Sequence, residues 1–85
     1  PNIAPYQVCP TADGYVVIAV GNDSQFAAFA QAIGGPALAG DIRFRTNRAR
    51  VENRAELVAA IAPVIRGRTT KEWLRSMEEA GVPAG

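Results

Sequence analysis

Between Tyr6 and Gly34 the chain reads YQVCPTADGYVVIAVGNDSQFAAFAQAIG, and this stretch limits the fold more than any other. It carries a strand, a turn signal, a second strand, a helix cap and an amphipathic helix in direct succession. Asp13-Gly14 predicts a tight two-residue hairpin turn, because glycine accepts the positive φ that such turns require. Tyr15 to Val20 is apolar, β-branched and uninterrupted, the pattern of a strand buried on both faces. Gly21-Asn22-Asp23 breaks that run, and Asn22 with Gln25 three residues later predicts a helix N-cap of the capping-box kind. A hairpin running straight into a helix is an α+β nucleus. No catalytic motif lies on it.

Downstream the punctuation is helical. Phe26, Phe29, Ala30 and Ile33 stand at i, i+3, i+4 and i+7 on one helix face, and Gly34 follows as a C-cap. Pro36 opens a short helical turn over Ala37 to Ala39. Asp41 to Arg45 reads as a loop pinned to the core by Phe44, and Thr46 or Asn47 starts a short helix toward Glu52. Asn53, with Glu56 three residues on, predicts the cap of a helix whose apolar face is Leu57, Val58, Ile61 and Ile65. Pro63 removes a backbone donor within that pattern, so a kink or an early end near Ala62 is expected. Thr69 and Glu72 form a second capping box ahead of Trp73, Leu74, Met77 and Ala80, and Gly81 closes the helix. Trp73 shares a face with Met77 and Ala80, which reads as core rather than as a platform for an adenine. The expected fold is α+β: a small, mainly antiparallel sheet, a β-hairpin with or without a third strand, packed by three to four helices in one domain, residues 1–85.

Composition narrows the function classes. A chain of 85 residues makes one domain, near the size at which only about 60–65% of the unfolded surface becomes buried. A net charge of +1 supplies no overall field for nucleic acid or an anionic membrane. No apolar run approaches the roughly 18 residues of a membrane-spanning helix, and no signal-peptide layout opens the chain. The single cysteine, Cys9, excludes an internal disulfide and suits a reducing cytoplasm, the expected location.

Histidine is absent, which removes the commonest general base and the commonest metal ligand together. Cys9 therefore has no histidine and no second cysteine with which to build a zinc site or an activated thiol. It reads as a small buried strand residue. Asp13 reads as a turn residue, Asp23 as a first-turn carboxylate favoured by the helix dipole, and Asp41 as a loop residue. Gly34-Gly35 follows a helix rather than a strand and has no Gly-Lys-Ser or Gly-Lys-Thr after it, so it is no phosphate loop. No catalytic residue and no metal ligand are expected.

Arg43, Arg45, Arg48, Arg50 and Arg54 form the one visible charge cluster. One reading is a cationic patch for phosphate, either the nucleotide end of CoA or RNA, or for an acidic protein. The other is a solvated face partly neutralised by Asp41, Glu52 and Glu56. The near-neutral net charge favours the second, and no aromatic residues interleave with the cluster to stack bases. A small interaction module using Arg43 to Arg54 is the alternative from a different function class.

Spelling adds to pattern. Pro1-Asn2-Ile3-Ala4-Pro5-Tyr6, Ala12-Asp13-Gly14, Val20-Gly21-Asn22-Asp23 with Gln25-Phe26, then Arg43-Phe44, Thr46-Asn47, Arg50, Asn53-Arg54 and Leu57 occur in that order. With these blocks the chain resembles, over nearly all its length, the small domain of the class III CoA-transferase family. That family includes formyl-CoA transferase, carnitine CoA-transferase and α-methylacyl-CoA racemase. Ala80-Gly81-Val82-Pro83 with Gly85 is similar to the point where such proteins return to their large domain. With no Met before Pro1, and an end just after Val82-Pro83, the chain reads as an excised small domain of a larger enzyme.

The resemblance implies an enzyme that transfers CoA between carboxylic acids, or a racemase acting at the α-carbon of an acyl-CoA. The family's aspartate nucleophile, which forms acyl-anhydride and CoA-thioester intermediates, belongs to the large domain, as does the racemase branch's His and Asp pair. Neither set has a counterpart here. Partners implied are the parent chain's large domain, a second copy in an interlocked homodimer, and acyl-CoA, with no nucleic acid and no membrane. The CoA thioester is substrate, and no tightly bound cofactor is implied. Pro1 to Tyr6 corresponds to the C-terminal edge of a mobile loop near the acyl group, which makes Asn2, Ile3 and Tyr6 the substrate-proximal candidates. The competing reading of Pro1 to Pro5 is a plain linker. Ile3, Tyr6, Val82 and Pro83 are expected to stay exposed as a face toward the large domain.

Overall fold

Side-chain alternation in the hairpin decides where the core sits. In the computed structural model, which describes residues 2–85, strand β1 (Tyr6–Pro10) pairs antiparallel with β2 (Tyr15–Ala19). Tyr6 faces Ala19, Val8 faces Val17 and Pro10 faces Tyr15. Cys9, Val16 and Ile18 point inward and are buried, while Tyr15 and Val17 point out and are exposed. The expectation of a strand buried on both faces is therefore corrected. The hairpin is covered on one face, and the uninterrupted apolar run lays a second, open apolar face on the other side.

The turn also differs from expectation. Residues 11–14 make a longer loop, closed by the Thr11 N–H donating to the Gly14 carbonyl at 2.8 Å. Gly14 has no positive φ; the glycines that do are Gly34 and Gly81. Asp13 is drawn to the far end of the chain, where its Oδ1 accepts the Thr70 N–H at 2.9 Å. The Ala12 N–H donates to the Arg68 carbonyl at 2.8 Å. A loop shaped by these distant partners has no need of a tight turn.

Helix α1 (Asp23–Ala32) starts where predicted: the Asn22 side chain accepts the Gln25 N–H, and the Gln25 side chain accepts the Gly21 N–H. Gly34, at φ 80°, ends it. After a 3₁₀ turn over Pro36–Gly40 come α2 (Asn47–Glu52), capped by Thr46, and α3 (Arg54–Ile65). Asn53 does not cap α3 with its side chain. Its amide donates instead to the carbonyls of Arg43 and Ala49, tying the preceding loop to α2. Pro63 does not end α3 at Ala62; the helix runs to Ile65, and the Arg66 N–H still reaches the Ala62 carbonyl at 3.1 Å. A proline that late removes one ladder bond without stopping the last turn.

Helix α4 (Thr70–Ala80) carries the predicted capping box between Thr69 and Glu72, and Gly81 closes it at φ 74°. Helix α3 packs against β1, while α4 packs against β2 and α1. The core that results contains Phe26, Phe29, Phe44, Leu57, Ile61, Ile65, Trp73 and Met77. In place of the optional third strand there is a bridge, Ala84 opposite Ile18, with Val17 and Gly85 exchanging backbone bonds of 2.8 and 3.0 Å. Because the chain turns back along β2 there, Val82 is buried in the core, and its expected place on an exposed face is corrected. Hairpin and four helices make an α+β fold.

Candidate functional site

The stretch Asn2 to Pro5 has no regular secondary structure, yet each of its four carbonyls has a partner from far along the chain. Asn47 Nδ2 donates to the Asn2 carbonyl at 2.7 Å, and an Arg54 Nη2 bond of 3.3 Å reaches the Ile3 carbonyl. Arg50 Nε donates to the Ala4 carbonyl at 2.8 Å, and the Val20 N–H donates to that of Pro5 at 2.9 Å. Asn47 Oδ1 also accepts the Ala4 N–H at 3.2 Å. Positions 47, 50 and 54 follow at spacings of three and four, which puts them on one side of the α2–α3 turn. Side chains there satisfy the backbone of a bent segment that has no partner strand along most of its length.

Arg50 anchors this arrangement. Its guanidinium is fully buried, donates to the Phe44 carbonyl at 2.9 Å, pairs with Asp23 and lies 4.4 Å from the centre of the Phe26 ring. Sequence reading put Arg50 on a solvated cationic face, and that is corrected. The Arg43 to Arg54 cluster is not one patch, because Arg50 is internal and Arg54 turns toward Ile3. Of the others, Arg43 pairs with Asp41 and Glu56, and Arg48 with Glu52. The Arg43 bond holds the Asp41 carboxyl down at about 2. Asn47 and Arg54 were legible as matching family blocks, but their grip on Asn2 and Ile3 was not.

Among the three expected site residues, Asn2 is exposed, Ile3 is half-buried, and Tyr6 opens β1 at 52% exposure. Tyr6 belongs to the open hairpin face with Val8 at 59%, Tyr15 at 68% and Val17 at 37%. Four large apolar side chains on one two-stranded face form the kind of contiguous patch that marks a contact surface. A depression between α1 and α4, lined by Ala28, Gln31, Ala32, Ser76, Glu79 and Ala80, includes none of the three candidates.

Independent chemistry is sparse. Burial raises the Cys9 thiol above its ordinary value, which keeps it protonated and unreactive. Among the described residues no group of His, Cys, Asp or Glu could hold a metal ion. No helix among them is long and apolar enough to cross a membrane.

A family model described as CoA-transferase family III matches residues 1–85. The chain is 42% identical over 85 residues to the succinate–glutarate CoA-transferase of Agrobacterium fabrum, covering 100% of this chain and 21% of that protein. It is 42% identical over 84 residues to the succinyl-CoA:glutarate CoA-transferase of Mus musculus, covering 99% and 19% respectively. The crystal structure of a CAIB/BAIF family protein from Brucella suis matches with a TM-score of 0.97 and 46% identity, over 100% of this chain and 22% of that one. The chain spans about a fifth of the length of these relatives.

Proposed function

The chain belongs to CoA-transferase family III, and from that premise we propose that its parent protein transfers CoA between carboxylic acids. This chain would be the parent's small domain. It lines the acyl site through Asn2, Ile3 and Tyr6, contributes to the contact with the large domain and a second subunit, and supplies no catalytic group. The observation that carries the reading is the family match over residues 1–85, joined to relatives at 42% identity that are named as CoA-transferases. Those names favour transfer over the racemase alternative.

The local geometry supports the site role. Tyr6 follows directly on the anchored segment and begins the apolar hairpin face, so the candidate acyl wall and the candidate contact surface are continuous. Acyl-CoA is the proposed substrate, the compartment cytoplasmic and the assembly an interlocked homodimer.

The test is CoA exchange by the full-length parent, with succinyl-CoA and glutarate as the first pair because relatives carry those names. Exchange is expected from the parent and none from these 85 residues alone. Loss of the α-proton from a 2-methylacyl-CoA without CoA exchange would replace this reading with the racemase. Transfer by the isolated chain, abolished by a point change within it, would overturn the wall role.

A further inference from the structure

Irregular segments at the edge of a small domain normally leave their backbone to water. Asn2 to Pro5 is bent and does not, and only its Pro5 carbonyl continues the hairpin pairing, accepting from the Val20 N–H. Its four carbonyls and the Ala4 N–H are held by Asn47, Arg50, Arg54 and the Val20 backbone, groups 15 to 51 residues away in sequence. Two of the holders are arginines, whose guanidinium donors form charge-assisted bonds that hold a carbonyl more firmly than a neutral amide does. Arg50 is itself fixed by Asp23, the Phe44 carbonyl and the Phe26 ring. The backbone path of Asn2 and Ile3 is thereby set by side chains of α2 and α3, while neither residue is buried.

We propose that Asn47, Arg50 and Arg54 are positioning residues of the parent enzyme: they hold the Asn2–Pro5 backbone so that Asn2, Ile3 and Tyr6 present a fixed surface to the acyl group. This rests on the acyl-wall reading above. A pre-set wall acts on the geometry of the reacting carbonyl more than on uniform binding. Loosening it therefore lowers kcat and leaves KM for acyl-CoA nearly unchanged.

Asn47 is the residue to test, because it makes two of the contacts and is not itself deeply buried. In the full-length parent, Asn47→Ala should speed hydrogen exchange at the Ala4 amide about tenfold, the loss of one ordinary hydrogen bond. The same variant should lower kcat about 10- to 100-fold, the scale of a small misplacement of reacting groups, while the parent stays folded and its melting temperature falls only by the few degrees that two lost hydrogen bonds cost. Asn47→Asp keeps the acceptor for Ala4 and sets a carboxylate oxygen against the Asn2 carbonyl, so Ala4 exchange should stay closer to wild type than in Asn47→Ala while kcat still falls. Arg48→Ala, on the same helix but paired only outward with Glu52, should match wild type. Faster Ala4 exchange with kcat unaltered would overturn the positioning role, and unaltered Ala4 exchange would overturn the clamp itself. A wild-type parent that exchanges no CoA would overturn the enzyme reading and the catalytic half of this proposal, while Ala4 exchange still decides the clamp.

Discussion

Arg50 and Asp23 form an ion pair of very unequal exposure. The guanidinium is fully buried, the carboxylate side chain is 58% exposed, and Nη2 lies 2.9 Å from Oδ1. The pair joins α2 to the first turn of α1, where a carboxylate also suits the helix dipole. Water keeps contact with the Asp23 side, so the burial cost falls on the arginine alone. That cost is offset by the carbonyls of Ala4 and Phe44 and by the face of Phe26.

The two partners should therefore respond unequally to mutation. Arg50→Ala strands two carbonyls and opens a void, and should cost about 3 kcal/mol or more, at the ~1–3 kcal/mol of each unpaired buried group. Arg50→Lys retains charge but not the fork, and should recover part of that. Asp23→Asn keeps an acceptor but leaves the buried guanidinium without its counter-charge, and should cost about 1–2 kcal/mol, less than Arg50→Ala. Denaturant midpoints rank the three, and an Asp23→Asn loss as large as that of Arg50→Ala would refute the assignment of roles.

The open hairpin face makes a different prediction. Val8 is exposed and sits opposite Val17, so Val8→Lys should change the stability of these 85 residues by no more than about 0.5 kcal/mol. Ile18→Lys, on the inner face of the same hairpin and fully buried, should prevent folding. In the full-length parent Val8→Lys should become harmful, with lower soluble yield or weaker subunit association. Equal tolerance in both contexts would mean that nothing covers this face.

Local signals were legible in the sequence and distant pairings were not. Asn22 with Gln25, Thr69 with Glu72, and the glycines Gly34 and Gly81 act within a few residues of themselves, so chain spacing encodes them directly. The apolar face of α1 and the burial of Trp73 follow from periodicity for the same reason, and Phe44 was legible as the one aromatic of its loop. Asp13 lies in the hairpin connection as read, but its bond to the Thr70 N–H, 57 positions away, was not legible. Arg50 was misread as surface because five neighbouring arginines look alike until the fold selects one. The strand from Tyr15 to Val20 has the composition of a doubly buried strand, and only the placement of the helices reveals that one face is open. For the candidate site, Asn2, Ile3 and Tyr6 follow from resemblance, whereas the clamp joins residues 43 to 51 positions apart.

Acid should weaken the fold through two carboxylates, Glu72 exposed and Asp41 half-buried. Glu72 is depressed by the Thr69 N–H and hydroxyl, and Asp41 is lowered from 3.8 to about 2 by its Arg43 bonds. Both bind protons less readily folded than unfolded, so their contribution is complete above the ordinary carboxylate range and is lost as pH falls through it toward 2. The melting temperature should therefore drop as pH is lowered through that window, less steeply at high salt because both groups face water. Glu72→Gln keeps the capping acceptor without the titration and should flatten the curve. A melting temperature that rises on acidification would contradict the sign.

Trp73 offers the largest single stability test. It is 1% exposed, its indole N–H donates to the Ile65 carbonyl at 2.7 Å, and the Arg68 guanidinium lies 4.8 Å from the ring centre. The ring thus joins α4 to the end of α3 and cannot serve as a stacking platform for a ligand. Trp73→Ala should cost roughly 3–5 kcal/mol from lost contacts and the cavity left behind. A chain of this length has about 4–13 kcal/mol in total, at ~0.05–0.15 kcal/mol per residue, so the variant should be largely unfolded at physiological temperature. Trp73→Phe retains most of the packing and leaves the Ile65 carbonyl with only the long Arg68 N–H bond of 3.5 Å, which should cost about 1 kcal/mol. Thermal melts of the two variants separate packing from hydrogen bonding. A Trp73→Ala protein that melts like the wild type would show that the core does not depend on this ring.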